Sequence, residues 1–219
     1  VSLKEQLAVM KDPAVLRYCQ LYSVVFGGYV ALALWMVKYY VNEYGFDLAH
    51  AGFLAMCFSL PGGVLRAFGG YLSDKFGALK VTWGVMWVCW VAFFLLPYPQ
   101  TDLVVQTTAG AQSFHVGLNA TVFTVILFIV GTAMAVGKAS VFKFIANEYP
   151  TQIGAVSGVV GLAGGLGGFF LPIMFGVLVD LTGVRSTSFM LLYGTVCVSL
   201  VWMYFSFKPV RDQRIAQAQ

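Results

Sequence analysis

Two cations stand where a chain this apolar should not hold them. Arg66 lies in Ser59-Leu-Pro-Gly62-Gly63-Val-Leu-Arg66-Ala-Phe-Gly69-Gly70, and Lys138 in Gly137-Lys138-Ala-Ser140-Val-Phe-Lys143, both inside long apolar runs. A guanidinium at bilayer depth costs on the order of 2.5–3.5 kcal/mol on insertion scales, so it should face protein, water or a counter-ion. The apolar cores contain no Asp or Glu to neutralise it. A guanidinium fork can give parallel hydrogen bonds to a planar oxyanion. Anion binding is therefore the expected role of Arg66; the other reading is a snorkelling or structurally paired arginine. Lys138 is expected either as a second cationic contact on the anion's path or gate, or as a packing lysine with its ammonium on a carbonyl. Lys143, nearer a helix end, is expected to snorkel to water.

Aromatic rings and glycines complete the candidate site. Tyr18, Tyr22, Phe26 and Tyr29 recur at i, i+4, i+8 and i+11, one face of a helix. Gly158, Gly161, Gly164, Gly165, Gly167 and Gly168 crowd another run that continues to Pro172. Each glycine is about 1 kcal/mol worse than alanine within a helix, so the crowding requires a compensation. Glycines let helices pack backbone to backbone, and they let a small ligand approach the main chain. The overlapping pairs Gly161/Gly165 and Gly164/Gly168 allow both uses on different faces. Counted from the helix ends, Arg66, Tyr22, Phe26 and Gly164 all fall roughly 10–18 Å deep, the layer where carriers hold substrate.

The elements that must position these residues are set by composition. Of 219 residues, 59% are hydrophobic and only 10% charged, against about 25% charged in soluble domains. Apolar segments fall at 14–41, 48–72, 81–97, 119–146, 154–181 and 188–207, each long enough to cross a bilayer core of about 30 Å. The expected organisation is a lead-in at 1–13, a six-helix transmembrane bundle at 14–207 and a tail at 208–219. Lysine and arginine favour the cytosolic side. With both termini in the cytosol, that side collects Lys4, Lys11, Arg17, Lys75, Lys80, Lys143, Lys208, Arg211 and Arg214, while the outer side holds Lys38 and Arg185. The polar stretch from Tyr98 to Leu118 then reads as an outer loop.

Several function classes are disfavoured. A net charge of +4 with no basic stripe argues against nucleic acid as a partner. Cys19, Cys57, Cys89 and Cys197 sit singly among apolar residues, so neither a metal site nor a disulfide framework is expected. No catalytic grouping of His, Asp, Glu, Ser or Cys is evident at membrane depth, with His50 and His115 both placed at the outer surface, so an enzyme is not expected, nor any cofactor.

The stretch Gly70-Tyr-Leu-Ser-Asp74-Lys75-Phe76-Gly77 resembles the cytoplasmic loop motif of the major facilitator superfamily, GxxxD(R/K)xG. The run from Gly158 to Pro172 resembles the second nitrate signature of the NarK-type nitrate/nitrite porters. Leu21-Tyr22-Ser-Val-Val-Phe26-Gly27 is similar to their seventh helix, and the LPGGxxRxxGG run around Arg66 to their eighth. The resemblance implies an all-α integral membrane fold: six transmembrane helices in two inverted three-helix repeats, the C-terminal half of a twelve-helix transporter. It implies that Arg66 binds the anion, Tyr22 and Phe26 line the site, Gly164 contacts the anion through its backbone, and the Asp74 motif latches helices at the cytosolic ends. The implied function is nitrate uptake and nitrite extrusion in nitrate assimilation, by exchange across a prokaryotic cytoplasmic membrane. Another small or organic anion, or proton-coupled nitrate symport, is the alternative. The implied partners are nitrate, nitrite, the lipid bilayer and an N-terminal six-helix half, which this chain, beginning at Val1, is expected to lack.

Overall fold

The structure, a computed structural model, describes the backbone of residues 3–218 and the side chains of residues 6–207. Lys4, Lys208, Arg211 and Arg214, counted above on the cytosolic side, have side chains outside the described residues. A short helix α1 (Leu3–Val9) leads into α2 (Pro13–Tyr22). Asp12 caps α2, its carboxylate accepting from Ala14 N at 2.8 Å. Proline at the first helical position is preorganised for the turn that follows.

The first apolar segment is continuous but not regular. Between α2 and α3 (Tyr29–Tyr44) the chain takes one π-helical stretch, Ser23–Gly28. Glycine allows the departure because of what it faces: a Cβ on Gly27 would lie 2.9 Å from the Gly167 backbone. Backbone packing against backbone at this point excludes every larger side chain.

The second apolar segment, expected as one helix, is two. α4 (Leu48–Val64) and α5 (Arg66–Phe76) meet at Leu65 with a 47° bend. Pro61 lies inside α4 and has no N–H to give; a proline within a helix removes a bond and crowds the preceding turn. Gly62 and Gly63 follow it. α5 then runs to Gly77, whose φ of 88° makes the reversal into α6 (Ala78–Leu95). That conformation penalises any residue with a Cβ.

Residues 98–118 depart from the expected loop. They form an antiparallel hairpin, β1 (Thr101–Thr107) with β2 (Gly110–Val116), in register from Thr101↔Val116 to Thr107↔Gly110. Leu103-Val-Val105 and Phe114-His-Val116 supply the β-branched and aromatic residues that a strand favours. Gly110, at φ 114°, supplies the turn. His115 joins the strand to the loop, bonding Asp102 at 2.7 Å and Gln100 at 2.8 Å.

α7 (Ala120–Glu148), capped by Asn119, is the central helix and packs against α4, α5 and α6. α8 (Ile153–Thr182) packs against α2 and the π-helical stretch. α9 (Thr187–Ala218) packs chiefly on α6, and the boundary expected at 207 falls within that one helix. Among the described residues the long apolar helices, with the bent pair taken as one span, give the six crossings expected. Only 17% of the most apolar window of α8 is buried, against 50% for α7. Thus α8 presents a long uncovered face.

Candidate functional site

Tyr22 closes α2, and Phe26 lies in the π-helical stretch. Their rings stack, with centroids 5.1 Å apart and planes 4° from parallel. α7 brings Phe142 edge-on to Tyr22 at 4.9 Å and 88°. The guanidinium of Arg66, at the first position of α5, lies over the Phe142 ring at 5.6 Å and within electrostatic reach of the Tyr22 hydroxyl. Three spans therefore build one cationic and aromatic wall. Arg66 opens an eleven-residue helix, so it stands roughly 15 Å from the helix end, deeper than the sequence count gave.

Gly164 lies directly beneath the stacked pair. A Cβ there would meet Tyr22 Cδ1 at 2.5 Å and Phe26 Cδ1 at 3.1 Å, so alanine could not be added without moving the rings. The neighbouring glycines divide by face. Gly167 and Gly168 approach Ser23 and Val30 of the first span, and Gly158 approaches Gln6. Gly161 and Gly165 face open space. The glycines of α8 thus divide into a face packed on the first span and a face left open.

Lys138 is buried, 4% exposed, and does not reach into the open side of the wall as a free ammonium. Its Nζ donates to the Gly62 carbonyl at 2.7 Å and sits 3.4 Å from the Tyr29 ring centroid. Gly62 O falls in the interrupted turn between α4 and α5: Leu65 N still donates to Pro61 O, and the ladder resumes at Gly69 N to Leu65 O. Lysine therefore occupies a carbonyl that the bend releases. The Tyr29 hydroxyl donates to Ser59 O at 2.6 Å, securing the same helix one turn earlier. Lys138 also feels the Arg66 charge, and the ion pairs among the described side chains involve neither cation.

Two features of the sequence reading take other places. Tyr18, one turn before Tyr22 on the same stripe, packs on Phe144 and donates to Glu148, with the Arg17 guanidinium beside it. Lys143 pairs with Asp74 at 2.6 Å, joining α7 to the end of α5. Gly69 makes the close approach there, since a Cβ on it would lie 2.6 Å from Val136 Cα, whereas Gly70 faces open space. Lys75 lies over the Phe76 ring at 5.4 Å. Phe142 was the residue the sequence reading missed; its position four residues after Lys138 on α7 was the available signal.

The described residues contain no cluster of His, Cys, Asp or Glu able to hold a metal ion. The arrangement offers a guanidinium, a phenol and ring edges on one open wall, a set of hydrogen-bond donors and positive edges suited to a small anion.

Comparison with known proteins gives the same architecture. A model of the Major Facilitator Superfamily matches residues 8–218. The chain is 37% identical over 212 residues to the "Probable nitrate/nitrite antiporter NarK1" of Thermus thermophilus, covering 95% of this chain and 47% of that protein. It is 29% identical over 209 residues to the "Nitrite extrusion protein" of Bacillus subtilis (strain 168), covering 94% of this chain and 48% of that relative. The structure titled "Inward open conformation of the xylose transporter XylE from E. coli" superposes with a TM-score of 0.68 at 14% identity, over 88% of this chain and 47% of that one. The chain thus spans about half the length of the curated relatives it matches. With the family match running over residues 8–218, the chain belongs to the Major Facilitator Superfamily.

Proposed function

We propose that this chain forms the C-terminal half of a nitrate and nitrite carrier working by alternating access, with its substrate site on the wall of Arg66, Tyr22, Phe26 and Phe142. The observation that carries the reading is the Arg66 guanidinium: at mid-span depth, over an aromatic ring, and with no carboxylate paired to it among the described side chains. A planar oxyanion satisfies it with two parallel hydrogen bonds. The names of the relatives, an antiporter and an extrusion protein for these ions, support the choice of anion. An N-terminal six-helix half is the proposed partner. It would cover the uncovered face of α8, where Leu162, Leu166 and Phe169 are exposed, and rocking of the two halves would expose the site to each side in turn.

Within this reading Arg66 binds, Tyr22 and Phe26 wall the anion, and Gly164 serves by seating those rings. Lys138 adds positive potential from behind the wall, its ammonium already bonded to Gly62 O. The Lys143–Asp74 pair latches the ends of α5 and α7. The membrane is the prokaryotic cytoplasmic membrane, with both termini of the chain in the cytosol. The chemistry is translocation, with no covalent step.

Exchange follows from the charge. A site holding uncompensated cations resists reorienting while empty, because an empty crossing would carry that charge through low dielectric. Counterflow in liposomes tests this with the complete transporter. Nitrate should leave nitrate-loaded vesicles rapidly only when nitrite or nitrate is outside. Efflux equally fast into anion-free medium would contradict exchange, and no nitrate movement under either condition would contradict the substrate assignment.

A further inference from the structure

Of the aromatic stripe on the first span, Tyr22 and Phe26 belong to the wall and Tyr18 bonds Glu148, which leaves Tyr29. Tyr29 is the first residue of α3, directly after the π-helical stretch Ser23–Gly28 that carries Phe26. Its side chain reaches across to the end of α4. The hydroxyl donates to Ser59 O at 2.6 Å, and the ring packs on Phe58 with centroids 5.2 Å apart. The same ring lies so close to Gly62 that a Cβ there would overlap it. Lys138 Nζ, bonded to Gly62 O at 2.7 Å, sits 3.4 Å from the ring centroid, so ring, ammonium and glycine backbone meet one another.

These contacts fall on the turns just before the break. α4 ends at Val64, and Arg66 opens α5 after the 47° bend. The backbone there is weakly tied: Pro61 has no N–H to give, and Gly62 O accepts from Lys138. A helix kinked at proline loses ladder bonds, so contacts from outside it fix its angle. Arg66 is the first helical residue beyond the bend, and the angle therefore sets where its guanidinium stands relative to the Tyr22 and Phe26 rings. Tyr29 is tied to both sides of that relation: by the chain to the stretch that carries Phe26, and by its hydroxyl and ring to the helix that leads into Arg66.

We infer that Tyr29 is a positioning residue for anion binding: by clamping the end of α4 it holds the Arg66 guanidinium in register with the aromatic rings of the wall. The inference rests on the proposed substrate site and adds to it a residue that acts through Arg66. The two irregular segments that carry the wall, the π-helical stretch and the bend, then keep their spacing through one side chain. Small misplacements of a site group weaken its action strongly.

The test uses the complete transporter in liposomes, with nitrate KM and kcat measured by counterflow. Tyr29→Phe keeps the ring and removes the hydroxyl; Tyr29→Leu removes both. KM should rise roughly threefold in Tyr29→Phe, the loss of one net hydrogen bond, and roughly tenfold in Tyr29→Leu, with kcat changed less than about twofold. Tyr29→Leu made in Arg66→Lys should raise KM less than about twofold further, because a flexible ammonium has no fork to misplace. The bend is read separately by spin labels on Phe53→Cys and Tyr71→Cys, exposed positions of α4 and α5, in a cysteine-free background. Their distance distribution should broaden in Tyr29→Leu. An unchanged KM in both Tyr29 variants, or an equal rise with Arg66 and with Arg66→Lys, would overturn the inference. If the wild-type protein carries no nitrate, the substrate reading fails and the distances decide the clamp: an unchanged distribution in Tyr29→Leu overturns it, and a broadened one upholds it.

Discussion

On the proposed reading Arg66 supplies the charge of the wall, Gly164 its shape and Lys138 its support. Arg66→Gln keeps a planar polar end but removes the charge and the fork, so nitrate transport should fall by about a hundredfold or more, in line with breaking a desolvated charge pair. Gly164→Ala should leave the chain inserted and folded yet cost about tenfold or more in turnover, because the added methyl displaces the Tyr22 and Phe26 rings, and small misplacements of site groups can cost a hundredfold. Initial rates at equal expression check both. Lys138→Met should act mainly on stability, by about 1–3 kcal/mol, since Gly62 O loses its donor; a thermal melt of the purified transporter measures it. Sequence alone exposed Arg66, because a charge in an apolar run is conspicuous. It exposed Tyr22 and Phe26 by their spacing. The state of Lys138 was not legible, because its partner, the Gly62 carbonyl, becomes available only at a bend in another helix. Phe142 was hidden among many apolar aromatic residues of similar appearance.

At the scale of elements, the six apolar runs in the sequence correspond to six crossings, and their irregularities carry the site. The π-helical stretch and the 47° bend both arise where glycine or proline weakens the ladder, but composition does not say whether a glycine faces another backbone, a ring or open space. Gly167 meets Ser23, while Gly165 meets nothing. The hairpin was missed for a different reason: all of its strand residues are exposed, so no inside-outside alternation by burial stands behind it. The lead-in yields a pH prediction. The Tyr149 hydroxyl, followed by the Ala14 N–H, holds the Asp12 carboxyl below its usual range. Tyr149 itself is pushed up to about 12, first by burial and then by its bond to Asp12, so it stays a donor. A lowered carboxyl pKa stabilises the fold above the unfolded value and loses that contribution as pH falls through the folded value. The cap of α2 should therefore hold at neutral pH and loosen only under acid below the ordinary carboxylate range. Asp12→Ala should loosen it at neutral pH, because alanine keeps an acceptor for neither the Ala14 N–H nor the Tyr149 hydroxyl. Amide exchange over the first turn of α2 reads both effects, and equal protection in the two proteins at neutral pH would contradict the assignment.

The whole molecule is asymmetric in what it covers. α7 is enclosed by α4, α5 and α6, while α8 and the α4–α5 bend leave apolar and cationic surface open on the chain as given. On the proposed reading an N-terminal half covers that surface, in keeping with a length about half that of the curated relatives. Coexpression of the chain with such a half should protect cysteines introduced at Leu162 and Leu166 from a membrane-permeant thiol reagent, and unchanged labelling would contradict this packing. The central claim is that an unpaired guanidinium at mid-span selects and carries a planar monovalent anion. It is tested most directly by the initial rate of labelled nitrate entry into nitrite-loaded liposomes containing the complete transporter, wild type against Arg66→Gln. Rapid entry by the first and entry at the rate of protein-free liposomes by the second is the predicted result, whereas undiminished entry by Arg66→Gln would contradict it.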